Sequence, residues 1–259
     1  MEYFKKIEKE PNNDLAWNLP EKKQGTVNVV GGCAQNFKTE IKISEFLSQN
    51  FPIETVNTVL PDSLKNHLPS LPNFVFLKST ETGSFGDEEG LKKAFASADF
   101  NLLIGDFSKN SITGKIVSSA CQNSEKPLLI TRDSLDLIAE YNPERILMNQ
   151  NMILFASMAQ LQKLLRAVYY PKMLLLTQSL VQVTEVLHKF TLSYPAKIVT
   201  LYNGQFLVAE NGEVVAIPLE KSGYSPLTAW FGELAVKIAI FNLFNPNNFL
   251  DATASAIFS

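Results

Sequence analysis

The chain reads as an α/β protein built on a mainly parallel sheet, with antiparallel hairpins toward its C-terminal end. Two observations predict this. Between residues 26 and 148, short β-rich runs alternate with amphipathic stretches at the spacing of βαβ units, which places helices on both faces of a sheet. Beyond residue 196 that alternation stops, and the pairs Asn203-Gly204 and Asn211-Gly212 separate β-rich runs. Asn-Gly in that setting is the strongest short-range hairpin signal.

The elements follow in order. Residues 1–24 are polar, hold Pro11 and Pro20 and lack periodicity, so they read as an arm, with one domain over 25–259. TVNVV (26–30) runs into Gly31-Gly32, which suits a buried strand and a tight turn. KTEIKISEFLSQN (38–50) spaces Ile41, Phe46 and Leu47 as a helix does. Residues 55–60 and 74–77 read as strands, 88–98 as a helix, and FNLLI (100–104) as a strand ending at Gly105-Asp106. A helix over 111–122, a strand over 127–130, a short helix over 134–141 and a strand over 145–148 continue the series. Residues 171–189 read as one long helix, with Pro171 in its first turn and Leu175, Leu180, Val183 and Leu187 as a buried stripe. The apolar tail, 249–258, suits either a final helix packed on the body or a contact surface.

Composition narrows the function classes. About half the residues are apolar (46%) and the net charge is −3, so nothing points to nucleic acid or an anionic membrane as partner. The apolar runs, such as residues 173–176, are far too short to span a bilayer, and the charged N-terminus has no apolar signal core, which makes the cytoplasm the expected location. Two cysteines, Cys33 and Cys121, make no disulfide framework, and with only His67 and His188 no metal site is expected. Cys33 reads as a small buried thiol.

Residues 222–239, SGYSPLTAWFGELAVKIA, carry the most chemistry. A glycine-bearing loop runs straight into a helix, and Glu233 stands at the junction. A helix N-terminus offers unpaired N–H groups and a positive dipole end to a phosphate. A carboxylate beside such a site can serve as a general base, or simply stabilise the helix dipole.

This segment resembles the TAGSGDVLAG signature of the ADP/ATP-dependent NAD(P)H-hydrate dehydratases, of the ribokinase-like superfamily. Thr228, Ala229 and Gly232 match; Trp230-Phe231 stand for Gly-Ser, and Glu233 for the catalytic Asp. The resemblance extends over nearly the whole chain. VNVVGGCAQNF (27–37) is similar to the opening strand and glycine turn, and FNLLIGDFSKNS (100–111) stands where the family has its I-G-P-G-L-G motif. LLITRDSLDLI (128–138) resembles the D-A-D-A-L strand, keeping Asp133, Ser134 and Leu135. RILMNQNMILFASM (145–158) takes the place of L-T-P-H-P-G-E-F, and residues 198–217 resemble V-V-L-K-G followed by a hairpin. Gln150 then replaces the family histidine, Tyr202 the lysine and Thr131 the strand aspartate, while residues 107–110 are bulkier than the family's glycines.

The resemblance implies a ribokinase-like three-layer α/β/α sandwich, with a mainly parallel central sheet and antiparallel C-terminal hairpins. It implies Glu233 as the catalytic base, with Gly232, Phe231, Trp230, Asn203 and Gly204 around a nucleotide or anion. Gly31, Gly32, Gly105, Asp106, Asp133 and Gln150 would face the substrate. It also implies ADP or ATP with Mg²⁺ as cofactor, small-molecule nucleotide ligands and a homo-oligomer. Taken alone, Gly31-Gly32 suits a tight turn equally well, Asp106 a helix cap, and Asn203-Gly204 a hairpin turn. The aromatic pair Trp230-Phe231 can stack on an adenine or close the site. Three functions therefore stand: a divergent dehydratase with weakened or lost activity, a relative that binds without turnover, and a small-molecule kinase on the same scaffold.

Overall fold

The computed structural model describes residues 2–11, 19–68 and 72–259. Its backbone falls into two compact units, Met1–Leu19 with Pro143–Ser259, and Pro20–Asn142. The expected arm contains a short strand, β1 (Phe4–Lys6), paired in parallel with residues 214–216. Residue 1 and residues 12–18 of that arm lie outside the described residues.

The unit Pro20–Asn142 holds five parallel strands: β2 (Thr26–Gly31), β3 (Thr55–Pro61), β4 (Phe74–Leu77), β5 (Phe100–Gly105) and β6 (Leu128–Thr131). Their spatial order is β4-β3-β2-β5-β6. Three helices lie between them, α1 (Lys38–Asn50), α2 (Glu88–Ser97) and α3 (Ser111–Gln122), and α4 (Asp133–Ile138) follows β6. Strands β2, β5 and β6 are buried along nearly their whole length, as β-branched and leucine runs covered on both faces must be.

A row of three asparagines pins the register inside that apolar sheet. Asn28 stands opposite both Asn57 and Asn101. Its Nδ2 donates to Asn101 Oδ1 (3.1 Å) and to the Ala94 carbonyl (2.7 Å). Asn57 Nδ2 donates to Asn28 Oδ1 (3.0 Å), and Asn101 Nδ2 to the Phe95 carbonyl (3.0 Å). A one-residue slip of any strand would strand these amides in a dry core.

The topology also fixes where ligands can approach. The chain leaves β2 toward β3 and β4 on one side, then returns to β5 and β6 on the other. The crevice beyond the carboxyl ends of β2 and β5 is therefore the switch point of this unit, where open α/β sheets take ligands.

The unit Met1–Leu19 with Pro143–Ser259 is ordered β1-β10-β9-β8-β7, from β7 (Met152–Phe155), β8 (Lys197–Tyr202), β9 (Gln205–Glu210) and β10 (Glu213–Pro218). β7 and β8 run parallel, whereas β8-β9 and β9-β10 are the two antiparallel hairpins expected at the Asn-Gly pairs. Its helices are α5 (Pro143–Leu147), α6 (Met158–Ala167), α7 (Leu180–Ser193), α8 (Glu233–Phe244) and α9 (Phe249–Phe258). The apolar tail is thus a helix; α9 packs on α8, β9 and β10.

Two sequence expectations fail in this unit. Residues 145–148 belong mostly to a short helix, α5, and the strand lies later, at Met152–Phe155. Pro143 at the first helical position starts α5, and a short apolar run such as Ile146-Leu147-Met148 does not by itself tell helix from strand. The long helix over 171–189 is replaced by α7, which begins at Leu180. Ser179 and Gln182 form a capping box there, each side chain bonding the other's backbone N–H. Residues 171–176 instead form a strap in which Leu174 is buried while Met173, Leu175 and Leu176 face solvent.

Candidate functional site

The carboxyl ends of β2, β5 and β6 bring together five of the residues singled out for the substrate. Gly31, at the end of β2, pairs with Gly105, at the end of β5, across a register shift, and the Gly32 N–H donates to the Gly105 carbonyl at 2.8 Å. Gly32, Gly105 and Asp106 all hold positive φ (85°, 117° and 56°). At Gly31 the backbone is ordinary and space alone demands glycine: a Cβ there would lie 2.4 Å from the Gly105 carbonyl oxygen and 2.5 Å from Glu40 Oε1. Asp133 opens α4 and accepts a hydrogen bond from the Asp106 N–H at 2.9 Å.

Two residues that the sequence reading passed over complete this cluster. Arg132, at φ 55°, donates through Nη2 to Asp106 Oδ1 at 3.0 Å. Glu40, in the first turn of α1, is fully buried, and neither carboxylate oxygen has a hydrogen-bond partner among the described residues. Asp106 Oδ2 is likewise buried and unpartnered. Burial, followed by the negative charge of Asp106, pushes the Glu40 carboxyl up to about 8. Asp133 is raised as well, by desolvation first, though the Asp106 amide it accepts from pulls the other way. A signal for Glu40 was present in the sequence: Glu40, Ile43, Ser44 and Leu47 form the buried face of α1, so a carboxylate interrupts an otherwise inward-facing stripe.

The carboxyl ends of β7 and β8 carry the other group of residues. Gly232 caps α8 at φ 107° with no side-chain cap, and Glu233 is the first residue of the helix, exposed to solvent. A left-handed cap of that kind suits glycine, and it leaves the first-turn N–H groups without a side-chain acceptor. Thr228–Trp230 form a single 3₁₀ turn ahead of it. The Trp230 ring stacks on Phe155, the last residue of β7, with centroids 4.8 Å apart. Phe231 is 53% exposed.

Two further residues sense Glu233. Lys237, one turn along α8, lies 5.4 Å above the Tyr224 ring. Burial depresses the Lys237 ammonium while Glu233 opposes that, and burial, then Glu233, pushes the Tyr224 hydroxyl up to about 12. Asn203 and Gly204, both at positive φ, make the two-residue turn between β8 and β9, beyond the carboxyl end of β8. Both are exposed, and the Gly204 carbonyl accepts from Leu219 N–H at 2.9 Å. Tyr202 is buried, and its hydroxyl lies within donating reach of the backbone carbonyls of Leu176, at the end of the strap, and of Gln178 just beyond it.

Gln150 stands apart from this group. It lies in the turn ahead of β7, at the amino end of that strand, and is exposed. Beyond the strand, after Ala156, Ser157 caps α6 in a box with Gln160. The resemblance to L-T-P-H-P-G-E-F expects Gln150 to face the substrate, whereas its position here is ahead of the strand rather than at its carboxyl end. Cys33 is buried and free, as expected, and burial pushes the Cys121 thiol above its ordinary range. His67 is exposed; His188 bonds the Gly212 carbonyl and stacks on Tyr3 at 3.9 Å. Among the described residues no group of three or more His, Cys, Asp or Glu is arranged to hold a metal ion, and no helix is long and apolar enough to cross a membrane.

No protein-family model and no curated protein matches the chain in sequence. Solved structures do resemble it. A ribokinase-like superfamily protein from Enterococcus faecalis shares 14% identity at a TM-score of 0.65, over 100% of this chain and 86% of its own. An ADP/ATP-dependent NAD(P)H-hydrate dehydratase from Bacillus subtilis, co-crystallised with ATP and Mg²⁺ and soaked with CoA, shares 12% at 0.57, over 94% and 83%. A ribokinase from Thermotoga maritima shares 13% at 0.57, over 90% and 91%. At these identities the likeness is one of fold, and the topology built above agrees with it: the chain has the ribokinase-like α/β fold, mostly parallel with antiparallel C-terminal strands and helices on both sides of the sheet.

Proposed function

We propose that the protein is a divergent, nucleotide-dependent enzyme of the NAD(P)H-hydrate dehydratase kind, binding ADP or ATP at the amino end of α8. The observation that carries this reading is the junction itself: Gly232 at φ 107° with no side-chain cap, followed at once by exposed Glu233. Phosphate oxygens fit such an end, where N–H groups and the positive end of the dipole converge. Mg²⁺ would ride on the phosphates, since it is commonly held by one or two carboxylates and substrate phosphates rather than by a protein cage. The bound nucleotide supplies a transferable phosphoryl group. Glu233 takes the proton from the substrate hydroxyl that receives it, and Lys237 tempers the carboxylate's charge.

One observation favours a second reading, a relative that binds nucleotide without turnover. Phe231 replaces a small residue directly before Gly232 and leaves half its surface in solvent beside the helix end. That bulk hinders the close backbone approach that small residues allow.

Thermal unfolding with ADP, ATP, AMP and NADPH, each with Mg²⁺, tests both readings. A ligand at about 100 times its dissociation constant stabilises the native state by ~2.7 kcal/mol. A shift with ADP or ATP supports the nucleotide site; no shift with any of them overturns it. Regain of reduced-nicotinamide absorbance from the hydrate, lost by roughly 10²-fold or more in Glu233→Gln, then separates the active enzyme from the silent binder. Phosphate transfer to another hydroxyl acceptor, with no regain, would instead identify a kinase.

A further inference from the structure

The Glu40 carboxyl is the most poorly accommodated polar group of the β2–β5 crevice as an ion. It is fully buried, its two oxygens have no hydrogen-bond partner among the described residues, and its Oε1 stands 2.5 Å from where a Cβ at Gly31 would lie. The ionisable groups that act on it are Asp106 beyond β5, Arg132 beyond β6 and Asp133 at the start of α4. Strands β2 and β3, on which α1 packs, contribute no ionisable side chain. Three carboxyls thus face one guanidinium, and that guanidinium is already bonded to Asp106. Asp133 is exposed and solvent screens its charge, but an ionised Glu40 would stand fully buried beside the buried Asp106 carboxylate, an arrangement proteins avoid by keeping the proton.

We propose that Glu40 is a positioning residue that keeps its proton at neutral pH, and that this proton holds the Gly31–Gly105 crevice in shape. With the proton on, the neutral carboxyl packs under Gly31 and the Asp106–Arg132 pair stands undisturbed. With the proton off, repulsion from Asp106 and Asp133 drives Glu40 from its seat. The groups nearest it then loosen: the Gly32 N–H bond to the Gly105 carbonyl (2.8 Å) and the Asp106 N–H bond to Asp133 (2.9 Å). Access to the crevice becomes linked to pH through a residue that need not touch the ligand.

Amide hydrogen exchange on the unliganded protein, followed from about pH 6 to about pH 9, reads this directly. Relative to Val29 in the middle of β2, the Gly32 and Asp106 amides are expected to lose about tenfold or more of their protection as pH rises through the titration. In Glu40→Gln, which keeps a neutral side chain of the same shape, the loss should disappear. Infrared difference spectra should also show the carbonyl band of a protonated carboxylic acid at neutral pH, absent from the variant. Where the variant does not fold, the wild-type profile and band decide the matter alone. Parallel protection of Gly32, Asp106 and Val29 across the range, or no protonated carboxyl at neutral pH, would overturn the proposal.

Discussion

Arg132 and Asp106 share one unusual backbone state and one bond: both hold left-handed φ, 55° and 56°, and the guanidinium of the first donates to the carboxylate of the second at 3.0 Å. Each non-glycine residue in that region carries strain, which surrounding structure must hold in place. The strain here sits at the ends of β5 and β6, where a ligand would enter. Arg132→Ala leaves Asp106 buried and unbalanced beside Glu40 and should destabilise the fold by about 2 kcal/mol, discounted from the fully buried case because Arg132 is partly exposed. Arg132→Ala combined with Asp106→Asn should recover part of that loss. Denaturant unfolding of the two single variants and the double variant measures the coupling.

Stability should fall as pH rises through the acid-to-neutral range. A free glutamate titrates near 4.5, and Glu40 in the folded chain near 8. Between those values the folded state holds a proton that the unfolded state has released, so each step up in pH favours unfolding. Below about 4.5 the stabilisation is complete, and above about 8 the loss is complete, on the order of a few kcal/mol. Melting curves from about pH 5 to about pH 8 should show the decline, and Glu40→Gln should flatten it. A wild-type midpoint that climbs over this range would contradict the assignment.

Two glycines that look alike in sequence should respond very differently to a methyl group. At Gly31 a Cβ meets the Gly105 carbonyl oxygen at 2.4 Å and Glu40 Oε1 at 2.5 Å, and backbone cannot step aside cheaply. Gly31→Ala should cost about 3 kcal/mol. At Gly204 nothing lies within 4 Å, so only the positive φ of 70° opposes the change. Gly204→Ala should cost about 1 kcal/mol. Chemical denaturation of both variants checks the order.

The contrast shows what sequence makes legible. The strand and helix alternation from Thr26 to Thr131, both Asn-Gly hairpins and the Gly-Gly turn are local signals, and these stand close to where the sequence places them. The reading failed where local signals competed. Pro171 suggested a helix start, yet Ser179 and Gln182, spaced as a capping box, set the true one nine residues later. Ser157 and Gln160 use the same device to open α6. The strand expected at residues 145–148 lies at Met152–Phe155, so Gln150 stands ahead of it. Arg132 lay hidden for another reason: its importance comes from elements far apart in sequence meeting at one sheet end, which no spacing reports, whereas the helical spacing of Glu40 with Ile43, Ser44 and Leu47 marked it as inward-facing but not what it would meet.

The aromatic pair before Gly232 divides into two roles that mutation should separate. Trp230 packs its ring on Phe155 at the end of β7, so it serves the fold, and Trp230→Ala should destabilise by about 2 kcal/mol. Phe231 stands half in solvent and holds no such partner ring among the described residues. Phe231→Ala should leave the unfolding midpoint within about 0.5 kcal/mol of wild type. If the bulk at 231 hinders approach to the amino end of α8, the same variant should enlarge the thermal shift produced by ADP or ATP with Mg²⁺. An unchanged shift would mean that Phe231 does not stand in the nucleotide's way, and that the junction's reach is set by Gly232 and Glu233 alone.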